Sequence, residues 1–386
     1  MTSSGELSRY NAHVLALLRQ IPDIIPLPVL DYPPGGLGHR MGLLLASAFW
    51  HMNVILKGSS SCIQLYTLLF QFMPVLVLHD TRHIQSLPGD GEAGSTNRTV
   101  IIRRLKFAES GNFVPLLDGF LAACQLSRPK RSTSSLWEKQ CLKAVVKSSL
   151  AGGRGLAFRS LQVDTCPPPS RQTFDKVAAT FITQPLLAHP PERLRQLCLT
   201  TLQNGHRHNF ASLNTKMVEK RMRSLKGLAQ PGCTKMRNTH VTLMLKSPWG
   251  LQVVRDWAFM WMRGEISEAA VVFWTNGLVA PLGKKSGVGV RPITLFETIH
   301  KLATGLALDL HRSQIVKAVG PFQYGALLAS GADRYVYNVR ALAHLNPKMC
   351  FVATDVKNAF GTVPRFHALT ALLKHLPALA PTMANT

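Results

Sequence analysis

Two long runs without a charged side chain lie near the start of the sequence, residues 41–56 and 58–78, separated only by Lys57. The second, at 21 residues, is long enough to cross a bilayer as a helix. The pair must therefore either enter a membrane or cover each other inside a protein core. The second run opens with Gly58-Ser-Ser-Ser, carries Gln64 and Gln71, and contains Pro74, which is expected to break the helix and shorten its apolar part. A buried helical hairpin with no stable membrane association is the expectation, and a membrane-associated basic protein is the alternative. Residues 1–10 are polar and do not have the form of a secretory signal.

Charge divides the rest of the chain. Lys and Arg number 44 against 20 Asp and Glu, a formal +24. Residues 1–100 hold six basic and six acidic side chains, residues 101–240 hold 23 and seven, and residues 241–386 hold 15 and seven. Solubility needs a net charge of only about 2–8 for a small domain, so the middle segment at +16 points to a polyanionic partner. Three regions follow: 1–100, apolar and helical; 101–240, a basic, mainly helical extension that binds nucleic acid; and 241–386. With 46% apolar residues the chain has material for a core, which excludes disordered and fibrous classes.

Seven cysteines without a C-x-x-C pair argue for an intracellular reducing compartment, not a disulfide framework. His206 and His208 follow Cys198, but no second cysteine pair completes a zinc set. Breaks fall at Ser127-Arg-Pro-Lys-Arg, at Cys166-Pro-Pro-Pro and at Gly152-Gly-Arg-Gly, which lacks phosphate-loop spacing. Between them Leu136, Cys141, Val145 and Val146, then Leu194, Leu197, Cys198 and Leu202, recur at helical spacing. Lys216, Lys220, Arg221, Arg223 and Lys226 form the densest basic cluster, with Lys216 and Lys220 one turn apart on a helical face. Such a face tracks a phosphate backbone or is merely solvated. No aromatic residue interleaves with it, so base stacking is not expected there.

Trp249, Val253, Val254, Trp257 and Trp261 describe an amphipathic core helix. Beyond it, two short apolar runs flank the Gly-rich, cationic turn that holds Lys284 and Lys285, the pattern of a hairpin. Pro292 keeps Arg291 extended beside that turn. Residues 349–354 are β-prone and end at Asp355, where a carboxylate can hold Mg²⁺ or cap a following helix.

Three blocks in order resemble the first part of a reverse transcriptase domain of the non-LTR retrotransposon type. Leu282-Gly-Lys-Lys with Gly289-Val-Arg-Pro-Ile and Lys301 is similar to the fingers block, Pro321-Phe-Gln-Tyr-Gly to the next, and Phe351-Val-Ala-Thr-Asp-Val-Lys-Asn-Ala-Phe to motif A of the palm. The resemblance covers about residues 271–373. It implies an α+β chain: a helical basic N-terminal extension, then incomplete right-hand polymerase fingers and the first palm strand. Upstream, Leu225-Lys-Gly-Leu-Ala-Gln-Pro-Gly loosely resembles the segment that precedes such domains.

By that resemblance the chain is part of an RNA-directed DNA polymerase working by two-metal nucleotidyl transfer with Mg²⁺ on an RNA template, a DNA primer and dNTP, in the nucleus. Asp355 would be the catalytic metal ligand, assisted by the carbonyl of Val356. Phe360 would gate the sugar, with a core aromatic as the competing reading. Lys284, Lys285 and Arg291 would contact phosphates or template. Gln323 and Gly325 would shape the template path, or simply make a turn. The family's later Gln-Gly block and Tyr-x-Asp-Asp hairpin are not among these 386 residues, and Gly361 replaces a common small polar residue. One carboxylate of the set does not hold two metals, so the chain as given is expected not to polymerise. A noncatalytic basic RNA-binding remnant is the alternative.

Overall fold

The uncharged runs fold as two helices that pack on each other, Gly38–Leu56 and Ile63–Leu78. A computed structural model describes residues 4–22, 27, 29–56, 62–80, 97–126, 170–182, 191–205, 210, 213–227, 229–283, 290–320, 323–325, 328–355 and 363–384. In chain order the helices before the sheet are α1 Ser4–Leu18, α2 Gly38–Leu56, α3 Ile63–Leu78, α4 Asn97–Glu109, α5 Phe113–Leu126, α6 Arg171–Ile182, α7 Pro191–Gly205, α8 Thr215–Arg223, α9 Asn238–Leu243, α10 Gly250–Arg263 and α11 Glu268–Thr275. The strands β1 Gly277–Gly283 and β2 Val290–Phe296 follow, then α12 Thr298–Leu310, α13 Arg312–Val319, α14 Gly331–Leu345, α15 Arg365–His375 and α16 Ala380–Ala384. The described chain is mostly helical with one small sheet, within the general α+β class expected.

Two compact units arise, each from segments separated in sequence: 1–177 with 214–258 and 266–302, and 178–213 with 259–265 and 303–386. In the first unit, α2 and α3 bring Phe49 and Phe70 into a stack with ring centroids 4.3 Å apart. Trp257 of α10 lies 5.6 Å from Phe49, and Trp274 of α11 lies 5.9 Å from Phe70 and 5.3 Å from Trp257. Each such ring pair adds roughly 0.5–1.5 kcal/mol to the area it buries. The polar residues of the uncharged runs serve the same packing. Asn53 Nδ2 donates to the Val253 carbonyl at 2.9 Å, and Gln71 Nε2 donates to the Phe273 carbonyl at 2.7 Å.

Pro74 does not break its helix, contrary to expectation: α3 runs through it to Leu78. The lost hydrogen bond costs about 3 kcal/mol. Against that, Val75, Leu76, Val77 and Leu78 are all completely buried, each contributing about 1.5–3 kcal/mol. Among the described residues no helix is long and apolar enough to cross a membrane.

Tyr10 of α1 clamps the turn between α4 and α5, donating to the Gly111 carbonyl and accepting from the Phe113 N–H, both at 2.8 Å. Gly111 turns at φ 72°, a conformation that glycine adopts without strain. Two buried histidines tie further segments. His79 Nδ1 faces the carbonyls of Val75 and Leu76, while Arg104 donates to the His79 backbone carbonyl at 2.8 Å. His240 Nδ1 accepts from the Arg237 N–H at 3.1 Å, so its Nε2 carries the proton and donates to the Leu30 carbonyl at 2.8 Å.

The second unit packs α7 against α16. Gly205 ends α7 so close to the Arg263 carbonyl that a Cβ would lie 2.2 Å from its oxygen. Phe210 meets Phe259 and His311 edge-on at 5.9 and 5.8 Å. The amphipathic pattern of residues 249–261 is borne out in α10, except that Trp249 precedes the helix and is exposed. The pattern at Leu194, Leu197, Cys198 and Leu202 falls on α7, whereas Leu136, Cys141, Val145, Val146, the breaks near 127, 152 and 166, His206 and His208 lie outside the described residues.

The hairpin forms as expected. β1 and β2 pair antiparallel with Leu282 opposite Arg291, and Pro281 faces Pro292 across the ribbon. The strand expected over residues 349–354 does not form: residues 349–355 have no regular structure and are exposed, Val352 by 86%. β-propensity is realised only when a neighbouring strand supplies ladder bonds and cover, and no described strand pairs with this run.

Candidate nucleic-acid interface

The basic cluster is built on α8. Asn214 is extended at the N-cap and its side chain accepts from the Met217 N–H at 3.0 Å, which sets where the helix starts. Val218 and Met222, one turn apart, are fully buried and attach the helix to the first unit. Lys216 and Lys220 lie one turn apart on the exposed side, and Lys226 is exposed just beyond. None of these three side chains is in an ion pair among the described residues. Arg223 differs: its Nε and Nη2 grip Glu219 at 2.9 and 2.7 Å. Arg221 is half-buried. With Lys220, Arg221 and Arg223 in its last turn, α8 also places cations where its own dipole favours them.

The segment after α8 is docked by groups that sequence reasoning did not single out. Asn238 Nδ2 donates to the Lys226 carbonyl at 2.7 Å. Glu297, 2% exposed between β2 and α12, accepts from Thr234, and Lys301 Nζ donates to the Gln230 carbonyl at 3.0 Å. Burial pushes the Glu297 carboxyl up, opposed by its bonds to Thr234 and by Lys301, while burial pushes the Lys301 amine down. A lone Glu after an apolar strand carries no spacing signal that would have revealed this role. Lys301, noted as part of the fingers-like block, holds backbone here.

Arg291 is exposed on β2, one register step from the Gly283–Val290 pair that closes the described ribbon. Lys284 and Lys285, in the turn, lie outside the described residues, as do Val356 and Phe360. The remaining described positions belong to the second unit. Gln323 is exposed and its Oε1 accepts from the Gly325 N–H at 2.8 Å, so these two make a local turn. Asp355 is exposed at the end of the irregular run.

Among the described residues no group of three or more His, Cys, Asp or Glu side chains could hold a metal ion. Cys62, Cys124, Cys198, Cys233 and Cys350 are free thiols, and burial pushes Cys124 up to about 11, which leaves it unreactive. What the arrangement offers chemically is exposed positive charge on a helix and on a ribbon. Compared with protein-family models, with curated proteins and with solved structures, the chain matches none.

Proposed function

We propose that this chain is an RNA-binding part of a retrotransposon protein of reverse transcriptase type, and that residues 1–386 by themselves bind RNA without polymerising DNA. The observation that carries the reading is that Lys216, Lys220 and Lys226, on and after α8, are exposed and in no ion pair among the described residues, in a chain of net charge +24. The hairpin that presents Arg291 supports it, because the resemblance assigns template or phosphate contacts to that block. Lysines bind phosphate as point charges and Arg291 as a planar fork, so such a surface grips a backbone without reading sequence. The resemblance assigns Asp355 to Mg²⁺, but a single exposed carboxylate does not hold two metals.

The test is RNA binding by fluorescence anisotropy across a salt series. Replacing Lys216, Lys220 and Lys226 together by Ala is expected to flatten the plot of log K against log salt by about 2 for single-stranded RNA. Asp355→Asn is expected to leave binding unchanged. An unchanged slope in the triple variant removes the RNA-binding reading. Primer extension by purified 1–386 that disappears in Asp355→Ala overturns the noncatalytic part.

A further inference from the structure

The RNA-binding reading has a gap, since phosphate contacts alone do not distinguish single strands from duplexes and no aromatic residue lies within the basic cluster in sequence. The fold supplies one from 190 residues away. A cavity of about 310 Å³, at the lower end of the range for ligand pockets, opens beside α8 and is lined by Tyr32, Arg223, Leu225, Gly227, Thr239 and Thr242. Tyr32 is 59% exposed, a large ring presented to solvent instead of to the core.

The two residues before Tyr32 hold its position: Asp31 pairs with Arg237 at 2.9 Å, and the Leu30 carbonyl accepts from the buried His240 at 2.8 Å. Arg237 is the N-cap of α9 and His240 lies in its first turn, so the backbone carrying Tyr32 is tied to the helix that contributes Thr239 and Thr242. Opposite, Arg223 is oriented by its two bonds to Glu219 and keeps its side chain 66% exposed. Gly227 has no side chain to fill the space, and a Cβ there would lie 3.3 Å from Thr239 Cγ2. Thr239 is 5% exposed and turns its methyl carbon toward Gly227, which keeps this wall apolar.

We infer that this cleft is a subsite for one unstacked base of a single-stranded RNA, with the base on the Tyr32 ring and the flanking phosphates along Arg223, Lys220 and Lys216. The inference rests on the RNA-binding reading and adds strand selectivity to it. An aromatic face stacks any base, and a duplex does not release its bases to such a cleft.

The experiment compares labelled single-stranded oligo(U) with a duplex RNA of equal length, for the unaltered chain, Tyr32→Ala and Tyr32→Trp. Tyr32→Ala is expected to weaken single-strand binding roughly tenfold or more, with the salt slope and duplex binding unchanged, and Tyr32→Trp to retain it. Single-strand binding that is intact in Tyr32→Ala overturns the subsite while leaving the basic face standing. Absence of RNA binding by the unaltered chain overturns both. Should Tyr32→Ala melt at lower temperature, photocrosslinking of 4-thiouridine oligo(U) to the unaltered chain decides. A crosslinked peptide containing Tyr32 supports the subsite, and crosslinks confined to other peptides overturn it.

Discussion

Thr234 gives both of its donors to Glu297, the N–H to Oε1 at 2.9 Å and the hydroxyl to Oε2 at 2.6 Å. This pair fastens the loop after α8 to the start of α12, and Gly232 passes so close that a Cβ would lie 2.6 Å from Oε1.

Glu297→Leu leaves two buried donors without acceptors, so a loss of at least about 2 kcal/mol in urea unfolding is expected. Glu297→Gln should lose much less, because the Thr234 hydroxyl can turn and accept from the new amide. Burial raises the Glu297 carboxyl in the folded state above the ordinary value of 4.5. Its contribution to stability is therefore present below that value and is lost as pH rises through the folded one. The Gln variant should lack that slope, and identical pH profiles for the two proteins would refute the assignment.

Gly42 and Gly119 are both helical glycines with opposite expectations. A Cβ at Gly42 would lie 2.2 Å from the backbone oxygen of Leu243, so Gly42→Ala forces α2 away from the end of α9 and should cost at least about 2 kcal/mol. Nothing lies within 4 Å of a Cβ at Gly119 in α5, so Gly119→Ala should stabilise by about 0.5–1 kcal/mol. Thermal melts of the two variants must move in opposite directions.

Acid should weaken the fold through three histidines. Burial lowers His79 to about 3 and His240 and His300 to about 4, against 6.5 for an ordinary histidine. The unfolded chain therefore binds more protons between these values, and stability present above about pH 6.5 is lost as pH falls toward 4. Urea midpoints should drop between pH 7.5 and pH 5, and His240→Gln should lessen that drop. A midpoint independent of pH over this range would contradict it.

Arg291→Ala should leave the melting temperature unchanged, because the side chain is exposed on a ribbon, and should lower the salt slope of single-strand RNA binding by about 0.7. Equal slopes would exclude Arg291 from the interface.

The hairpin was legible because its two runs, its Gly-rich turn and its prolines are local signals, and α2 with α3 because long uncharged helices have only a core or a membrane to enter. Pro74 misled: its cost is local and certain, whereas the burial that outweighs it depends on α1, α2, α4 and α11 packing around α3. Residues 349–354 misled in the opposite sense, since strand propensity is visible in sequence, and that no strand among the described residues pairs with them is not. Gln71 read as an argument against a membrane, and only its bond to the Phe273 carbonyl shows what it does instead.

The sequence by itself determined the charge excess, the helical and hairpin segments and the basic face of α8, because composition and periodicity act within a few turns of chain. Only the tertiary structure decided that Glu297 anchors the loop at Thr234, that His240 must stay neutral, and that Tyr32 stands beside Arg223. Those relationships join residues tens to hundreds of positions apart, and they exist only once apolar burial has brought their segments into contact.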